Sequence, residues 1–248
     1  MNRAVGFALA RVLGLAPAGP IRLAVKAWAI GVSRRRDPAR ALRALIAIHD
    51  DLYWRIDRLA IDYDNGVHVK HRLMRYHDFF VERIAQGERV LDVGCGAGSV
   101  AHDVADRAGA TVLGIDMNPF ALADARERYP HERLAFLEAD ATTWVPDHPF
   151  DVLILSNVLE HIDERVMLLR ALIEHAQPSR LLIRVPMSNR HWLVPLRREL
   201  GLPYLSDPTH YIEYVPEVFR SEMAEAGLDV AELEIGWGEI WADVRPQR

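Results

Sequence analysis

The chain predicts an α/β fold: a doubly wound, seven-stranded sheet with an antiparallel edge hairpin, preceded by an N-terminal helical extension. Three observations predict it. After Gly87 the apolar pattern changes from the three-to-four-residue spacing of helices to short apolar runs, each leading into a turn or a helical stretch. The first run, "RVLDV", leads directly into Gly94, Gly96 and Gly98, where a strand turns into a helix. The tail "LDVAELEIGWGEIWADV" reads as two antiparallel strands about Gly236–Gly238. Strands separated by helices need crossovers, and right-handed crossovers build a sheet wound on both faces.

A chain of 248 residues that is 50% apolar and 26% charged supports one sizeable core. The reading is one domain over residues 37–248 behind a leader over 1–36. Cys95 is the single cysteine, which excludes an internal disulfide and a zinc cage of cysteines and fits a reducing, cytoplasmic setting. The net charge of -5 is unevenly spread: residues 1–43 hold nine Lys or Arg against one acid, Asp37, which leaves -13 on the other 205.

In the leader, Arg11, Arg22 and Lys26 interrupt the apolar stretches, so none reaches the roughly 18–20 uncharged residues of a membrane span. Two readings stand. Interfacial helices dip Phe7, Leu13, Ile21, Trp28 and Ile30 between anionic headgroups, making the chain peripheral at the inner membrane face; or a helical cap packs on the domain. From Asp37, a cap followed by Pro38, a helix of about 20 residues is expected, with Leu42, Leu45, Ile46, Leu52, Ile56 and Leu59 on its apolar positions. "DYDNG" turns the chain, and helical spacing resumes over 67–84; together these make up N-terminal helices over 37–86.

The alternation then runs in order. "RVLDV" is the first strand, followed by the helix "SVAHDVADRAGA"; "TVLGID" is the second, followed by "NPFALADARERYP". "RLAFLEAD" and "FDVLILS" are the third and fourth, and "DERVMLLRALIEHAQ" leads to the fifth, "RLLIRVP". Residues 187–215 are too long and too rich in Trp, Tyr, His and Arg for a plain linker, and read as a substrate lid before the helix "PEVFRSEMAEAGL". Its Arg190, Arg197 and Arg198 face either an anionic group or solvent.

Ligands in such sheets lie beyond the carboxyl ends of the strands. There the glycines leave room for a ligand at the start of a helix, Asp116 can accept from two ribose hydroxyls, and Asp140 can meet an adenine amino group. The third glycine comes one residue too early for a dinucleotide turn, which disfavours pyrophosphate.

"VLDVGCGAG", "GIDMNP", "EADAT" and "FDVLILSNVLEHI", in that order, resemble the class I S-adenosylmethionine-dependent methyltransferases, of Rossmann-like fold, in the branch of the ubiquinone-biosynthesis O-methyltransferases. The resemblance covers residues 70–185. It implies S-adenosylmethionine as cofactor, with Asp92 orienting the methionine amino group, Gly94, Cys95 and Gly96 lining the cofactor, and Asp116 on the ribose. Met117 would cover the adenine, Asp140 and Ala141 would read its edge, and Asn157 would lie near the reacting centre. Arg72 or Tyr76 would touch the methionine carboxylate.

The implied reaction is methyl transfer to a small-molecule hydroxyl, of a glycan, a lipid-linked or a ring metabolite. A sulfonium is already electrophilic, so placement and one base suffice and no metal is expected. His161, beside Glu160, and His210 in the lid are the candidate bases, each also readable as structural. His68, His71 and Asp64 show no recognised metal-ligand spacing. The acidic domain argues against nucleic acid as a partner. A nicotinamide-dependent oxidoreductase and a non-catalytic cofactor-binding protein are the alternatives.

Overall fold

A computed structural model describes residues 17–247, which divide into two units between His68 and Val69. Among the described residues of the first unit are two helices, α1 (Ala18–Ser33) and α2 (Pro38–Tyr63). Asp37 caps α2 as its sequence suggests, its carboxylate accepting from the Arg40 amide at 3.0 Å with Pro38 opening the first turn. Val32, Ala41 and Ile46 are buried, whereas Leu52, Ile56 and Leu59 remain exposed. The expectations for Phe7, Arg11 and Leu13 lie outside the described residues.

The second unit opens with a departure. The single helix expected over 67–84 is two short ones, α3 (Lys70–Met74) and α4 (Tyr76–Val81), broken at Arg75 with φ +53°. A non-glycine residue there costs about 1–2 kcal/mol. The break lets Tyr76 reach back to His71, hydroxyl to Nδ1 2.8 Å, while Phe79 and Phe80 enter the core.

The strands are β1 (Arg89–Val93), β2 (Thr111–Asp116), β3 (Leu134–Glu138), β4 (Val152–Ser156), β5 (Arg180–Pro186), β6 (Leu228–Gly236) and β7 (Glu239–Pro246). They form one sheet in the order β3-β2-β1-β4-β5-β7-β6, with β7 antiparallel to β5 and to β6. The edge hairpin turns through Trp237 and Gly238, both with positive φ, as a two-residue turn between twisted strands requires. Between the strands run α5 (Ser99–Asp103), which continues as a wider π turn over Val104–Ala108, then α6 (Pro119–Arg128) and α7 (Arg165–Ala176). Residues 187–215 contain α8 (Leu193–Glu199), and α9 (Pro216–Glu225) precedes β6.

Side chains alternate across the sheet into two cores. Leu91, Leu153, Leu155, Leu181 and Ile183 pack on one face with Leu169 of α7 and Phe219 of α9. Val90, Val152, Ile154 and Leu182 pack on the other with Phe80 of α4 and Ala101 of α5. Burial on both faces is why these strands read as unbroken apolar runs. Each fully buried side chain contributes about 2 kcal/mol. The register places Asp92 opposite Gly114 and Ile154, and Ser156 opposite Arg184.

Candidate active site

The carboxyl ends of β2, β1 and β4 are neighbours in the sheet and gather the expected residues. The Asp116 carboxylate closes β2, its Oδ2 accepting from the Gly96 amide at 2.8 Å and its Oδ1 from the Asn118 amide at 2.8 Å. It therefore ties the glycine turn to the second strand and keeps lone pairs for further donors. Asn118 caps α6 through the Phe120 and Ala121 amides, leaving Met117 and Phe120 exposed beside the turn.

The three glycines serve different ends. A β-carbon on Gly98 would come within 2.5 Å of Phe136 Cζ, and one on Gly94 within 2.8 Å of Val158 Cγ2. Both are packing requirements at positive φ. At Gly96, also at positive φ, a β-carbon would meet nothing within 4 Å, so this glycine leaves open space. Cys95 packs its sulfur toward Gly114; burial, then the Asp92 and Asp116 charges, push its thiol far up and leave it inert.

Asp92 is buried, and one of its oxygens, Oδ2, has no hydrogen-bond partner. Burial and then the charge of Asp116 push its carboxyl up to about 8. An orphaned acid oxygen beside a second carboxylate fits a ligand that carries positive charge. Asp140 follows β3, its Oδ1 accepting from the Thr142 hydroxyl at 2.7 Å and amide at 2.9 Å, which hold its carboxyl low. The Ala139 amide donates to Asp116 O at 3.0 Å, bringing Asp140 and the half-buried Ala141 toward Asp116.

Beyond β4, Asn157 takes φ +59° and donates from Nδ2 to Glu160 Oε1 at 2.6 Å. Glu160 is fully buried, its Oε2 unpartnered, and burial pushes it up to about 7. His161 and His210, 49 positions apart in the chain, meet edge to face with ring centroids 4.6 Å apart. The 187–215 segment makes this contact because it is pinned at both ends. The Met187 amide donates to Gly238 O at 2.8 Å, the Tyr214 amide to Pro186 O at 2.9 Å, and the Tyr211 amide to Glu160 O at 2.7 Å.

Each histidine has an orienting partner. The Thr209 hydroxyl gives its one hydrogen to Asp207 Oδ1 at 2.5 Å, so it accepts from His161 Nδ1, 2.9 Å away. His210 Nδ1 donates to Glu213 Oε1 at 3.2 Å. Both rings thus keep a basic Nε2. Burial, then His210, hold His161 below the usual histidine value, so it is neutral at pH 7. Among the described residues, Glu160, His161 and His210 also bring one ligand-type atom each within 4.8 Å of one another, a spacing that can hold a divalent cation.

Two groups, Glu213 and Arg184, stand outside the sequence expectations. Glu213 is buried and accepts from Arg190, from the Ser206 amide and hydroxyl, and from His210, making it the anchor of the 187–215 segment. Arg190 is thereby structural rather than a free anion site. Arg184 is buried, pairs twice with Glu239 at 2.6 Å and lies 3.7 Å over the Tyr76 ring. An arginine inside "LLIRVP" was the available signal. Tyr76 hydrogen-bonds to His71, which leads through His77 to Asp103. His68 pairs with Asp57 at 3.1 Å.

Residues 66–233 match the family described as a methyltransferase domain. The ubiquinone biosynthesis O-methyltransferase of Neisseria meningitidis serogroup A is 32% identical over 161 residues, 60% of this chain and 66% of that protein. The match therefore spans just under two thirds of that relative. The trans-aconitate 2-methyltransferase of Delftia acidovorans is 28% identical over 172 residues, 65% of this chain and 63% of that one. Magnesium protoporphyrin IX methyltransferase from Synechocystis, solved with bound S-adenosylhomocysteine, superposes with a TM-score of 0.56 at 19% identity, over 70% of this chain and 83% of that one. A TehB-like methyltransferase from Corynebacterium glutamicum superposes at 0.53 with 18% identity, over 82% of this chain and the whole of that one. At such identities the structures share the fold.

Proposed function

The chain belongs to the methyltransferase domain family, and from that membership we propose that it moves the methyl group of S-adenosylmethionine to a hydroxyl of a small molecule, a glycan, a lipid-linked or a ring metabolite. The cofactor supplies an electrophilic methyl on a sulfonium. Asp92 and Asp116 offer carboxylates to its amino-acid and ribose parts, Gly96 leaves it room, and Asp140 and Ala141 flank the adenine with Met117. The observation that carries the acceptor side is the His161–His210 pair, whose Nδ1 atoms are occupied by Thr209 and Glu213. Either Nε2 can take the hydroxyl proton as the oxygen attacks. The chain works in the cytoplasm, peripheral at the inner membrane face.

Purified chain, labelled S-adenosylmethionine and fractionated lysate test this directly. Label appears in a small molecule one methyl heavier, and His161→Ala or His210→Ala removes it while S-adenosylhomocysteine still binds. Cofactor binding without transfer to any fraction would make this a non-catalytic binding protein.

The convergence of Glu160, His161 and His210 favours a second reading, in which a divalent cation polarises the acceptor hydroxyl. Glu160, protonated up to about pH 7, would release its proton on binding the ion. Activity lost to a chelator and restored by one metal selects this reading; activity indifferent to chelation selects the base.

A further inference from the structure

Helix α1 is exposed along most of its length: of its 16 residues only Ala29 is half-buried and only Val32 buried. The exposed side chains are large and apolar, with Leu23 68%, Val25 45%, Trp28 41% and Ile30 44% accessible. Its only charges, Arg22 and Lys26, stand one turn apart and make a single cationic stripe. A helix that is apolar round most of its circumference belongs in a core or against lipid. The chain then runs into Arg34, Arg35 and Arg36, all exposed, and residues 17–43 hold seven Lys or Arg against Asp37 alone. No helix among the described residues is long and apolar enough to cross a membrane.

We propose that α1 lies in the plane of an anionic lipid surface. Leu23, Trp28 and Ile30 sink below the headgroups while Arg22 and Lys26 carry their charges up along apolar stems. Arg34–Arg36 bind headgroup phosphates at the end of the helix. Charge complementarity selects lipid over a second copy of the chain. Two copies would set the same arginines against each other, whereas anionic headgroups neutralise them. The proposal rests on the peripheral placement above and names its surface and its partner.

Sedimentation of the full chain with vesicles of phosphatidylcholine, with and without phosphatidylglycerol, tests it. The chain pellets with the anionic vesicles alone and is released by high salt. Both the double variant Leu23→Glu/Trp28→Glu and the triple variant Arg34→Ser/Arg35→Ser/Arg36→Ser partition roughly 100-fold less. Neither changes S-adenosylhomocysteine binding, which separates this result from a loss of fold and from the fate of the methyl-transfer reading. Wild-type chain that stays in the supernatant, binds both vesicle types equally, or binds no better than the variants overturns the proposal. So does a dimer in light scattering that Leu23→Glu/Trp28→Glu dissociates while vesicles remain unbound.

Discussion

Asp92 makes ligand affinity depend on pH in a way that can be worked out in advance. In the ligand-free chain its carboxyl is pushed up to about 8 by burial and the charge of Asp116. A positively charged group seated on Oδ2 needs the carboxylate, so below that pH binding must first expel a proton. That requirement weakens binding about tenfold near pH 7 and about 100-fold near pH 6, the latter equal to about 2.7 kcal/mol. The assay is calorimetric titration with S-adenosylhomocysteine, whose amino group is cationic, in buffers of differing ionisation heat. Affinity rises close to tenfold per pH unit, levels above about pH 8, and about 0.9 proton leaves per ligand near pH 7. Asp92→Asn keeps the size, loses the charge, and binds weakly with no pH dependence. A flat wild-type profile without proton release would refute the assignment.

Further outcomes follow from the geometry. His161→Ala or His210→Ala, whichever removes the base, lowers turnover roughly 10²–10⁴-fold with cofactor affinity unchanged, and normal rates in both remove the histidine base. Because His161 is held below the usual histidine value, wild-type turnover stays flat from neutral pH upward and falls only in acid. Glu160, raised from 4.5 to about 7, keeps its proton in the folded chain where the unfolded chain has lost it. Glu160 therefore contributes a decline of about 3 kcal/mol as pH rises from about 4.5 to 7, added to the decline from Asp92, and denaturant titrations at several pH values give a curve shallower by that amount in Glu160→Gln; parallel curves would contradict it. Gly98→Ala brings a methyl within 2.5 Å of Phe136 at φ +79° and lowers stability by about 2–3 kcal/mol, so an unchanged melting temperature counts against the packing role.

What was legible in the sequence was local or periodic. The parallel strands stood out because both their faces are buried, and Asp116 because a charged residue closing an apolar run marks a strand end. The break at Arg75 was hidden, since helical spacing continues through it and the cause is the pull of Tyr76, Phe79 and Phe80 into the core. Partnerships across long separations were equally hidden. Arg184 meets Glu239 from 55 residues away, and Glu213 gathers Arg190 and Ser206 from either side of the lid. His161 and His210 were singled out separately, yet their contact depends on backbone bonds that pin residues 187–214. The glycines were read as one ligand cradle, whereas Gly94 and Gly98 answer to Val158 and Phe136 and Gly96 alone faces open space.

The central claim is that a nucleoside cofactor is held at the end of β2 by Asp116. Thermal unfolding with and without S-adenosylhomocysteine tests it most directly. Ligand at about 100 times its dissociation constant stabilises the wild-type chain by about 2.7 kcal/mol, and Asp116→Ala at the same concentration loses most of that gain. Equal stabilisation of the two chains, or none in either, would contradict it.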